Sequence, residues 1–90
     1  MDVQTKDDVI RRLRCVQGHV AGVMRMVEAD HPCLAIVHQT QAIQAALRQI
    51  DALLLARHLD VCLRQAWGEQ HEDGYRQLRN ELLELLFHKE

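Results

Sequence analysis

A single proline and four glycines are all that this chain offers as helix breakers, and runs of β-branched residues are almost absent. Sheets need such runs, with turn residues at short intervals, so the scarcity excludes an all-β chain and points to helices. Aromatic residues are just as scarce, with one Phe, one Trp and one Tyr, so any core must be packed by aliphatic side chains. No apolar run reaches the ~20 residues that cross a bilayer. The polar, acidic start MDVQTKDDVI carries no secretory signal, and the expectation is a cytoplasmic protein without a membrane segment. The three cysteines, Cys15, Cys33 and Cys62, are odd in number and lack paired spacing. That argues against a disulfide framework and for ligands or reactive thiols. No Ser/His/Asp set, glycine-rich phosphate loop or paired acids can be read, so an enzyme is not expected.

Net charge is also small, at −2, but it is unevenly spread. Between Val9 and Val27 there are four arginines and no acid, whereas from Glu69 onward six acids face three bases. A basic first segment and an acidic last one are separable surfaces.

The apolar pattern divides the 90 residues, read as one domain over 1–90, into three helices. Val9, Leu13, Val16, Val20, Val23 and Val27 alternate steps of four and three, which predicts an amphipathic helix over about 6–29. The stretch ADHPC breaks it, and Pro32 suits the first turn of the next helix. From Cys33 to about Ala66 nothing breaks the chain, and apolar residues run almost all round. Gly68 and EDG are expected to end this second helix; Tyr75, Leu78, Leu82 and Leu85 mark a short third one. Thirty-odd helical residues span about 50 Å, whereas a compact chain of this size is roughly 30 Å across. Such a helix is too long and too apolar for one chain to cover, which implies a helical bundle shared between subunits.

The long helix carries the pattern Cys33-x24-His58-x3-Cys62. His58 and Cys62 share a face, one turn apart. Cys33 would lie nearly 40 Å from His58 along one straight helix, so the three cannot meet within one protomer. Two long helices running antiparallel in a dimer would bring Cys33 of one to His58 and Cys62 of the other. Two thiolates and an imidazole form a soft, low-coordinate donor set that suits Cu(I), whereas Zn(II) would want a fourth ligand. The alternative is a buried cysteine beside a hydrogen-bonded histidine, since free cysteine is among the most buried residue types.

On the first helix, opposite the valine stripe, Arg11, Cys15, Gly18, Gly22 and Arg25 recur at four, three, four and three, flanked by Arg12 and Arg14. A flat glycine facet bordered by guanidinium groups can approach a phosphate backbone and hydrogen-bond it. A solvated face, or Gly-x3-Gly helix packing, explains the same residues. Cys15 is expected to be exposed among the arginines, which favour its thiolate. The remaining histidines, His19, His31, His38, His71 and His88, share no spacing; they read as structural or solvent-facing, with His31 and His38 as candidates to tune the site.

The segments RRLRCVQGHVAGVMRMVEADHPC, QTQAIQAAL and HLDVCL, in this order, resemble the copper-sensing operon repressor (CsoR) family over essentially the whole chain. The resemblance implies an all-α, DNA-binding repressor without a helix-turn-helix. Its protomer has three helices with one long central helix, and an antiparallel dimer assembles into a dimer of dimers, a homotetramer with a four-helix-bundle core. It implies a Cu(I) site made by Cys33 of one subunit with His58 and Cys62 of the other. Glu81 in the third helix is the implied hydrogen-bond partner of the histidine. Nickel- and cobalt-sensing members carry histidine in place of the last cysteine, formaldehyde-sensing members lack it, and persulfide-sensing members lose the histidine; all three residues here favour copper. One departure is Pro32, where copper sensors often carry a tyrosine. The resemblance also assigns the arginine facet to operator DNA, with Arg11, Arg12, Arg14, Arg25 and Arg48 as expected contacts. Two alternatives stay open: a persulfide or reactive-sulfur sensor using Cys33 and Cys62, and a copper buffer that does not bind DNA.

Overall fold

The computed structural model describes residues 1–67 and 72–87, with side chains at all of these except 62, 63, 66, 67, 72, 73, 75, 86 and 87. It is all-helical: α1 Val3–Glu28, α2 Cys33–Trp67 and α3 Glu72–Phe87, with no strand among the described residues. Two compact units divide the chain, Met1–Ile50 and Asp51–Glu90, so α2 contributes its first half to one and its second half to the other.

In the first unit, α1 starts three residues earlier than its apolar stripe predicts because Asp2 caps it. The Asp2 carboxylate accepts the Thr5 N–H at 3.0 Å, and its carbonyl accepts the Lys6 N–H at 3.0 Å, which satisfies backbone donors that a helix start leaves open. The other end closes in a Schellman turn. Asp30 takes the left-handed conformation, φ 57°; its N–H donates to the Val27 carbonyl at 3.1 Å, and the His31 N–H donates to Met26 at 3.0 Å. This motif usually recruits glycine, and aspartate is among the few residues that tolerate it. Pro32 then stands just before α2 rather than inside its first turn, its carbonyl accepting the Ile36 N–H at 3.2 Å.

The turn folds α1 back on the first half of α2 as an antiparallel hairpin. Only one row of the predicted valine stripe faces inward. Val9 and Val23 are buried and Val16 half-buried, while Leu13 and Val20 are each 41% exposed and Val27 is more so. Residues seven apart lie nearly in line on a helix, so the stripe is two rows, and α2 covers the row 9–16–23. From α2, Ile36, Ile43 and Ala46 are half-buried and Ile50 is the most buried core residue, 4% exposed. Inside the same hairpin the His19 Nε2–H donates to Gln39 Oε1 at 2.7 Å, so His19 is a half-buried cross-helix tie.

In the second unit, Leu53, Leu54, Leu55 and Leu59 of α2 and Leu78, Leu82 and Leu83 of α3 are half-buried. Leu85, expected on the packed face, is 78% exposed, and Leu83 takes that role. The EDG stretch does not end a helix: Glu72, Asp73 and Gly74 form the first turn of α3, since one glycine costs a helix only about 1 kcal/mol. Gly68, His71 and His88 lie outside the described residues, as does the Tyr75 side chain. No helix is long and apolar enough to cross a membrane among the described residues.

Candidate metal centre and nucleic-acid interface

Cys33 is the first residue of α2, and its thiol is exposed. His58 is exposed too, on the second half of the same helix. Helical backbone continues through position 62, so positions 58 and 62 stand one turn apart; the Cys62 side chain lies outside the described residues. Glu81 is exposed on α3, where its Oε1 accepts from Gln77 Nε2 at 3.4 Å. Among the described residues, no three His, Cys, Asp or Glu side chains gather closely enough to hold a metal. The donor set of Cys33, His58 and Cys62 fits a soft ion by its chemistry, and two of its members present themselves outward, where a second chain can reach them.

The arginine facet of α1 is open. Arg11, Arg14, Cys15, Gly18 and Arg25 are exposed, as is Arg48 on α2, whereas Arg12 is half-buried toward the hairpin. A Cβ added at Gly18 would meet no atom within 4 Å, and one at Gly22 would meet only Arg25 Nη2, at 3.7 Å. Among the described residues, therefore, no helix packs against this glycine pair. A groove of about 170 Å³ runs beside it between α1 and α2, lined by Arg12, Cys15, His19, Gln49 and Ile50 among others.

Sequence reasoning missed Asp8. Its carboxylate accepts from Arg12 Nε at 3.1 Å and from Arg11 Nη2, and Arg12 first, then Arg11, hold its carboxyl below the usual aspartate range. The signal was the i, i+3 and i, i+4 spacing of Asp8 to Arg11 and Arg12, which a charge count begun at Val9 leaves out. A second pair unread in the sequence lies in the other unit. Arg79 Nη1 donates to both oxygens of Asp60, at 2.8 and 3.1 Å. Nineteen residues separate these partners, beyond the reach of any local spacing rule.

Comparison with known proteins follows the same outline. The profile of the metal-sensitive transcriptional repressor family matches residues 5–88. The copper-sensing transcriptional repressor RicR of Mycobacterium tuberculosis is 41% identical over 66 residues, covering 73% of this chain and 69% of the relative. The copper-sensing transcriptional repressor CsoR of the same species is 33% identical over 66 residues, 73% of this chain and 56% of the relative. The CsoR of Bacillus subtilis is 38% identical over 61 residues, 68% of this chain and 60% of the relative. The match thus spans less than two thirds of either CsoR. No solved structure matches the chain.

Proposed function

The chain belongs to the metal-sensitive transcriptional repressor family, and on that premise we propose that it is a Cu(I)-responsive repressor, a regulator rather than an enzyme, that works in the cytoplasm. Free of metal, it binds operator DNA through Arg11, Arg14 and Arg25, with Arg12 and Arg48 at the margin. Cys33 of one subunit and His58 and Cys62 of the partner subunit hold Cu(I) across an antiparallel dimer, and dimers pair into a tetramer. Glu81 receives a hydrogen bond from the second ring nitrogen of His58, fixing which nitrogen is free to bind metal. Bound Cu(I) supplies a link between two chains that the apo protein lacks, and it favours an assembly that fits DNA poorly. Effector and DNA then oppose each other reciprocally, by about 1–3 kcal/mol or more.

The observation that carries this reading is the ordered donor series Cys33, His58, Cys62 inside a family match that runs nearly end to end. Relatives named as copper sensors support the choice of effector. The apolar residues left uncovered on the hairpin, Leu13, Val20, Met24 and Val27 on α1 and Leu34, Val37 and Leu47 on α2, support burial by further copies of the chain.

The test is an anaerobic titration of reduced protein with Cu(I) against a competing chelator, followed by ultraviolet absorbance, paired with anisotropy of labelled promoter DNA. One tightly held Cu(I) per protomer with a thiolate-to-copper band, and loss of DNA binding on loading, is expected. His58→Ala should keep part of the copper affinity through the thiolates yet release DNA poorly; normal release by this variant would remove His58 as the link. Weak copper uptake, with a covalent dimer on a non-reducing gel after persulfide treatment, would move the function to sulfur sensing through Cys33 and Cys62. Tight copper without promoter binding at low salt would make the protein a buffer.

A further inference from the structure

Asp60 stands on α2 midway between His58 and Cys62, and helix geometry puts position 60 nearly opposite positions 58 and 62. Its side chain reaches toward α3. Arg79 Nη1 bonds both carboxylate oxygens, at 2.8 and 3.1 Å, and the two side chains are only 24% and 22% exposed. The guanidinium is held a second time, with Nε and Nη2 donating to Asn80 Oδ1 at 3.3 and 3.2 Å. Among the described side chains of the second unit, the packed apolar residues are half-buried leucines and alanines, Leu53, Leu54, Leu55, Ala56 and Leu59 on α2 and Leu78, Leu82 and Leu83 on α3 among them. Aliphatic contacts tolerate sliding and rotation, whereas a charge-assisted bond shared between both carboxylate oxygens has one register. The pair therefore sets how α3 seats on the back of the turn whose front bears His58 and Cys62.

We propose that Asp60 and Arg79 are a positioning pair for the effector site: by pinning α3 behind the 58–62 turn, they hold that turn in the geometry its donors need. The proposal rests on the metal site put forward above. A ligand set must be held to within about half an ångström by the groups behind it. Groups that hydrogen-bond the ligands directly contribute about tenfold to a hundredfold to metal affinity, which bounds from above what a pair acting through the helix behind them contributes. Asp60 is not a donor here, because its carboxylate is taken by Arg79.

The experiment compares wild type, Asp60→Asn, Arg79→Lys and the reversed pair Asp60→Arg with Arg79→Asp. Cu(I) affinity is measured by chelator competition well below each melting temperature, the thiolate-to-copper band is recorded, and amide exchange across 55–62 is followed in the metal-free protein. Asp60→Asn should lose up to about tenfold in Cu(I) affinity, the low end of what direct partners of the ligands contribute, weaken the band and speed exchange at 55–62, while promoter affinity of the metal-free protein holds. Arg79→Lys, which keeps the charge but loses the Nε and Nη2 bonds to Asn80 Oδ1, should fall between, and the reversed pair should recover most of the loss. A purely structural pair would lower the melting temperature alone, leaving Cu(I) affinity and band of the folded protein unchanged in both single variants. That result overturns the proposal. Wild type without tight Cu(I) uptake overturns the metal site itself and this role with it. Tight wild-type uptake matched by the variants overturns only the pair.

Discussion

Replacing Gly18 by alanine asks whether the basic face of α1 is open to a ligand or closed by another helix. Gly18 lies deep inside α1, and a Cβ there would meet no atom within 4 Å. Glycine in a helix interior is about 0.5–1 kcal/mol less favourable than alanine, largely because its backbone loses more freedom on folding. With no clash to offset this gain, Gly18→Ala should stabilise the protein by about 0.5–1 kcal/mol, or roughly 2–8 °C in melting temperature for a domain of this size. Gly22→Ala should behave alike, since its nearest neighbour, Arg25 Nη2 at 3.7 Å, is at ordinary contact distance. DNA binding should move the other way. If a phosphate backbone approaches this facet, the added methyl group holds it off, and promoter affinity should fall several-fold in the more stable protein. Thermal melting by circular dichroism gives the first sign, and anisotropy with labelled promoter at fixed salt gives the second. A lower melting temperature would refute the open facet and show that the glycines pack against another helix in the assembly. A higher melting temperature with unchanged DNA affinity would remove this face from the DNA interface.

Asp30→Gly should stabilise the hairpin by about 1 kcal/mol, because a left-handed backbone costs a side-chain-bearing residue about 1–2 kcal/mol and Asp30 adopts φ 57°; an unchanged melting temperature would show that the aspartate offsets its own strain. Ile50→Ala should cost about 2–5 kcal/mol in urea unfolding and Ile50→Val about 0.5–1.5, since Ile50 is the most buried core residue of its unit. Asp8 sets a pH dependence. Its folded pKa is lowered from 3.8 by Arg12 and Arg11, so its contribution is present above the unfolded value and lost as pH falls through the folded one. Asp8→Asn should therefore lower the melting temperature at neutral pH and low salt and flatten the decline below about pH 4; parallel pH curves for the two proteins would refute this.

Local rules made much of this molecule legible. Steps of three and four predicted α1 over about 6–29, and the absence of breakers predicted a continuous α2 to about Ala66, one residue short of its end at Trp67; the caps at Asp2 and Asp30, unread in the sequence, act through chemistry that spans only a few residues. The identity and order of Cys33, His58 and Cys62 likewise stand in the sequence, because donor chemistry belongs to the residue itself. Other features needed three dimensions. Six apolar residues on α1 looked like one stripe, but a single neighbouring helix covers only the row Val9, Val16 and Val23. The ties from His19 to Gln39 and from Asp60 to Arg79 join residues 20 and 19 apart. Periodicity along one helix says which residues share a face; which of them meet a partner depends on how two helices are set in register, and that is decided by the turn between them and by packing on both sides at once.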